Sequence, residues 1–157
     1  MRKTIARISA VLVTVLATLL VPGIAQAANP VPPGGSGSAC SGYQYVHVNP
    51  NLYWQVCAWA DNNETYYTVH FGNTSGSTWY VDHIDLYYAR SGSFHNCPAS
   101  QGSGQYDNFP VPAGSTAQTP TNKCAVPRTP GAYAAYATVT EYGLYQKNWN
   151  SPTLQVQ

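Results

Sequence analysis

The stretch TYYTVHFGNTSGSTWYVDHIDLYYA, Thr65 to Ala89, gathers the side chains best able to do chemistry: His70, His83, Asp82 and Asp85, set among aromatic rings. Successive residues of a strand face opposite ways, so His83 and Asp85 share a face that Asp82 does not. His70, on the preceding strand, is placed to join them. Two imidazoles and one carboxylate are the minimum for an open metal site, and would make a small metal-assisted enzyme. The plainer reading is a hairpin whose polar residues face water, and spacing alone favours it.

Other catalytic patterns are missing. Hydrolysis of a glycosidic bond needs two carboxylates facing each other across a cleft, and none of the six acids is paired in the sequence. There is no G-x-S-x-G elbow. Gly34 to Gly37 and Gly102 to Gly104 lack the lysine and helix of a phosphate cradle. The expectation is a protein that is not an enzyme and carries no cofactor.

What remains is aromatic. The chain has 13 Tyr and four Trp, while only 8% of its residues are charged. On the outward faces of the expected strands stand Tyr53, Trp59, Tyr66, Tyr87 and Tyr136, with Gln55, His70, His83 and Asp85 among them. Rings stack on the C–H faces of sugars while amides and acids bond hydroxyls. Tyr and Trp also dominate the energetics of protein interfaces. The same rings could instead pair across strands and stabilise the sheet.

The elements that position these residues are short strands. Period-2 runs alternate with turn signals. Tyr43 to Val48 is one, ended by Asn49-Pro50-Asn51. Leu52, Trp54, Val56 and Ala58 form the inner face of the next. Tyr67, Val69 and Phe71 are inward on a third. Trp79 to Ala89 carries Ile84, Leu86 and Tyr88 inward, and Tyr133 to Tyr142 carries Tyr133, Ala135, Ala137 and Val139. Trp149 to Gln157 closes the chain. Ser91 to Thr129, rich in Gly, Ser and Pro, reads as long loops with one edge strand near Phe109 to Thr116. The fold class is all-β, a sandwich of about seven short antiparallel strands.

The N-terminus reads as a targeting segment. Arg2, Lys3 and Arg7 precede an uncharged apolar stretch, Ile8 to Val21, and Ala25-Gln26-Ala27 is a small-x-small cleavage signal. Residues 1–27 are therefore expected to be removed, 28–39 to be a disordered Pro/Gly/Ser linker, and 40–157 to form one secreted domain. Without the three basic residues of the leader, four basic side chains face six acids, a net charge of −2. That balance argues against nucleic acid and, once the leader is cleaved, against a membrane surface. Nothing in the pattern fixes an oligomeric state.

Four cysteines, Cys40, Cys57, Cys97 and Cys124, in an exported chain read as disulfides. Three connectivities are open. Cys40–Cys57 and Cys97–Cys124 are preferred because each closes a short stretch between neighbouring segments.

Pro130-Gly131-Ala132-Tyr133-Ala134-Ala135-Tyr136-Ala137 resembles the tyrosine corner and following strand of immunoglobulin-like sandwiches. Phe71-Gly72-Asn73-Thr74-Ser75-Gly76 is similar to the first hairpin of bacterial Ig-like modules. Ser151-Pro152-Thr153-Leu154-Gln155-Val156 looks like their last strand. With the leader and linker, the chain resembles small secreted Ig-like proteins of actinobacteria. The resemblance implies the sandwich and carries no activity. Because Ala135 stands two residues after Tyr133, the inter-sheet disulfide of true immunoglobulin domains is expected to be absent. The functional expectation is an extracellular binding module contacting glycan through its aromatics. The alternative is a protein-interaction module, such as an inhibitor of secreted hydrolases, presenting the loop between Cys97 and Cys124.

Overall fold

A computed structural model describes residues 30–143 and 145–157. The expected leader and cleavage point lie outside the described residues. Among the described residues, twelve strands form two sheets. Sheet 1 holds β1 (Gly37–Cys40), β2 (Gln44–Val46), β3 (Asn49–Ala60), β4 (Glu64–Asn73), β8 (Ser115–Gln118) and β9 (Ala125–Pro127). Sheet 2 holds β5 (Trp79–Arg90), β6 (Ser93–Asn96), β7 (Gln105–Val111), β10 (Gly131–Glu141), β11 (Tyr145–Asn150) and β12 (Leu154–Val156). The pairings among these strands are antiparallel.

Both sheets follow one plan. Two long strands pair in the middle, β3 with β4 and β5 with β10. Short strands lie end to end along each outer side: β1 and β2 on β3, β8 and β9 on β4, β6 and β7 on β5, β11 and β12 on β10. The long strands carry the alternating apolar sets, and these meet in the core. Leu52, Trp54, Val56, Tyr67, Val69 and Phe71 come from sheet 1; Val81, Ile84, Leu86, Tyr133, Val139 and Leu154 come from sheet 2; all are buried. Each such aliphatic or Phe side chain contributes ~1.5–3 kcal/mol on leaving water. The all-β sandwich expected from the sequence is the fold observed.

Both preferred disulfides are present. Cys40–Cys57 joins directly opposed residues of β1 and β3. Cys97–Cys124 joins the segment after β6, in sheet 2, to the segment before β9, in sheet 1. The second pair therefore bridges the two sheets. The corner itself is formed: Tyr133 Oη donates to the Thr129 carbonyl at 2.9 Å and lies 2.7 Å from Thr129 Oγ1.

Five expectations need correction. Thr74 to Ser77 is a crossover between sheets and not a hairpin, since β4 and β5 never pair. Buried Asn73 holds it, donating from Nδ2 to the carbonyls of Ser77 (2.8 Å) and Val111 (2.9 Å) and accepting from Ser75 N–H. The Ser91–Thr129 region is not long loops with one strand. It contributes β6, β7, β8 and β9, and the single strand expected near Phe109 to Thr116 divides where the chain passes from β7 in sheet 2 to β8 in sheet 1. The C-terminal run divides likewise into β11 and β12, and the first turn falls at His47-Val48, since Asn49 already begins β3.

Fifth, the Pro/Gly/Ser segment is part of the fold from Val31 onward. Val31 is buried and bridges Val156, exchanging backbone hydrogen bonds with Gln155 and Gln157. The Arg128 guanidinium then ties the segment down. It donates to the carbonyls of Pro32 (2.6 Å) and Gly35 (2.6 Å) and also to that of Asp61. One buried valine and one arginine with five donors order a stretch whose composition alone would not.

Candidate functional site

Because β4 and β5 lie in different sheets, their outward faces are on opposite sides of the molecule. The proposed trio of His70, His83 and Asp85 is therefore not assembled: His70 is on the outer face of sheet 1, and His83 and Asp85 are on that of sheet 2. His83 is engaged in another way. Its Nδ1 lies 2.6 Å from Asp107 Oδ1 and its Nε2 3.2 Å from Asp85 Oδ2. A ring whose nitrogens both face carboxylates favours the imidazolium form. The Asp107 hydrogen bond, then the pairing with Asp85, raises its pKa. The cluster straps β7 to β5, and no three His, Cys, Asp or Glu side chains converge as metal ligands among the described residues.

The five aromatics divide the same way. Tyr53, Trp59 and Tyr66 stand on the outer face of sheet 1, and Tyr87 and Tyr136 on that of sheet 2, so one platform cannot include them all. None is buried, because the Ser91–Thr129 strands extend the sheets sideways instead of covering them. On sheet 2, Tyr87 and Tyr136 are directly opposed across β5 and β10 and stack at 5.5 Å, with Phe94 edge-on to Tyr136 at 4.8 Å. The hollow beside them, about 780 Å³, is lined by Asp85, Asn96, Gln105, Thr138 and a single ring, Tyr87.

Sheet 1 is different. Its register builds rungs that run across the strands. Tyr45, Tyr53, Gly72 and Thr116 form the first; Gln55, His70 and Gln118 the second; Cys40, Cys57 and Thr68 the third; Ser38, Trp59, Tyr66 and Ala125 the fourth. Rungs are two residues apart, so six residues separate Tyr53 from Trp59, or roughly 20 Å of strand. Rings occupy both ends. Tyr43 meets Tyr53 edge-on at 5.0 Å, and Tyr45 meets it at 5.9 Å. Trp59 and Tyr66 lie with planes 7° apart and centroids 6.2 Å apart.

The middle is polar and partly unspent. Trp59 Nε1 donates to Thr68 Oγ1 at 2.9 Å, and the same oxygen shares a hydrogen bond with His70 Nε2, also at 2.9 Å. Burial lowers the His70 pKa and keeps the ring neutral. Among the described residues, the amides of Gln55 and Gln118 make no hydrogen bond within the protein. Tyr43, Tyr53, Gln55, His70, Thr116 and Gln118 line a groove of about 370 Å³. It is smaller than the sheet 2 hollow, but it has the aromatic wall and convergent polar groups of a binding site. Tyr43 and Gln118 were missed as site residues: Tyr43 precedes its strand, and β8 shows no alternation.

Among the described residues no helix is long and apolar enough to cross a membrane. No family model, no curated protein and no solved structure matches this chain.

Proposed function

We propose that the protein is an extracellular, non-catalytic glycan-binding module whose site is the outer face of sheet 1. The carrying observation is the pair of unspent amides, Gln55 and Gln118, flanking His70 between two aromatic ends. Rings accept the apolar faces of pyranoses, and free amide donors and acceptors suit hydroxyl groups. The low charge supports a neutral ligand over a charged one. The linear order of the rungs suits an extended chain better than a single sugar. Two disulfides and the leader-like N-terminus support export. Residues 98–123, between the second pair of cysteines, are built into both sheets, which favours the sheet face over that segment as the contact surface. Sedimentation with insoluble cellulose, chitin or peptidoglycan tests the reading. Retention on at least one, competed by its soluble oligosaccharide, is expected; no retention on any contradicts it.

A further inference from the structure

Glu141 occupies an inward position of β10, in line with Tyr133, Ala135, Ala137 and Val139, where every other side chain is apolar or aromatic. It is only 2% exposed. Two neutral N–H groups reach it: Trp54 Nε1 donates to Oε1 at 3.0 Å, and the His47 backbone N–H to Oε2 at 3.4 Å. Among the described residues it has no cationic partner within ion-pair distance. Buried carboxylates are ordinarily paired, and a carboxylate has about four lone-pair positions, so this one is under-compensated.

The carboxylate lines a hollow of about 390 Å³ with Tyr45, His47, Tyr145, Gln146 and Lys147. Tyr45 and Tyr145 are exposed, and the His47 and Tyr145 rings lie 5.4 Å apart. Lys147 also lines the hollow, with its Nζ 6.0 Å over the Trp149 ring and not paired with Glu141. A carboxylate behind aromatic walls selects a cation, because ring faces attract positive charge and the carboxylate repels anions. A metal ion would need more ligands than one carboxylate supplies. We infer that this hollow is a binding site for an organic primary ammonium group, with Glu141 accepting its N–H donors and Tyr45 and Tyr145 flanking its carbon stem. This inference does not rest on the glycan reading, although Tyr45 touches both sites.

The Trp54 indole N–H, bonded to Glu141, reports occupancy directly. Its resonance in a nitrogen–proton correlation spectrum is followed while n-butylammonium chloride is added at constant ionic strength. A saturable shift is expected, with n-butanol producing none. In E141Q the affinity should fall at least tenfold. If that variant does not fold, Tyr45→Ala and Tyr145→Ala, at exposed positions, should each weaken binding several-fold. No saturable shift, an equal shift with n-butanol, or unchanged titration in all these variants overturns the inference. So does a K147M variant whose free spectrum shows the Trp54 resonance displaced, since Lys147 would then be the occupant. Glucosamine and Nα-acetyl-lysine amide distinguish the sources. Tighter binding of one assigns an amino sugar or a peptide lysine, and equal binding leaves the ammonium head as the recognised unit.

Discussion

The ring of Tyr53 lies over Gly72, its direct partner across β3 and β4, so closely that a methyl group at Gly72 would overlap it. The glycine makes room for the aromatic wall of the groove. Gly72→Ala should push the ring aside, weaken glycan retention and cost about 1–3 kcal/mol, the usual penalty of overpacking. In a Tyr53→Ala background the same substitution should cost little. A double-mutant cycle by chemical denaturation should give a coupling of at least ~0.5 kcal/mol; additive effects would mean the two residues are independent.

Tyr133→Phe removes the corner hydrogen bonds to Thr129 and nothing else of the buried ring. A loss of about 1 kcal/mol is expected, read as a few degrees in thermal melting. No change would show that the corner hydroxyl adds no net stability.

Cys97–Cys124 spans 27 residues and joins the two sheets, whereas Cys40–Cys57 spans 17 and lies within one. Replacing both cysteines of either pair by Ala should destabilise by about 2–5 kcal/mol. The inter-sheet pair should cost more, because it closes the longer loop. Denaturation midpoints of the two variants decide the order, and the reverse order contradicts it.

The two engaged histidines should titrate on opposite sides of the ordinary value of 6.5. The folded pKa of His83 is raised, chiefly by Asp107. Its stabilisation is therefore complete below 6.5 and lost as pH rises through the raised value. That of His70 is lowered by burial, so its stabilisation is complete above 6.5 and lost as pH falls toward the lowered folded value. Protonation of His70 puts a charge in the middle of a face suited to a neutral ligand, so glycan binding should weaken in mild acid. Proton NMR of the imidazole resonances checks the order of titration, and His70 titrating above His83 would contradict it.

The strands were legible where one face is buried. Leu52, Trp54, Val56 and Ala58, and Tyr67, Val69 and Phe71, alternate so regularly that period 2 placed each side chain. Which sheet a strand joins was not legible, because the pattern of β5 is the same whether Thr74 to Ser77 turns within a sheet or crosses between sheets. That ambiguity put His70 beside His83 and merged two aromatic faces into one. The short edge strands were hidden for another reason: β6 is exposed along its whole length and has no inner face to alternate with. Val31 and Glu141 are single residues whose burial depends on distant partners, Val156 for one and Trp54 for the other, and no local pattern announces that.

Sheet 1, and not sheet 2, is the face proposed to carry the glycan. Affinity electrophoresis in gels containing the soluble form of the retained polysaccharide compares Tyr53→Ala and Trp59→Ala with Tyr136→Ala, each first shown to be folded. Tyr53→Ala and Trp59→Ala should abolish retardation, or weaken it at least tenfold, while Tyr136→Ala should behave like the unmodified protein. Loss with Tyr136→Ala and retention with the other two would contradict it.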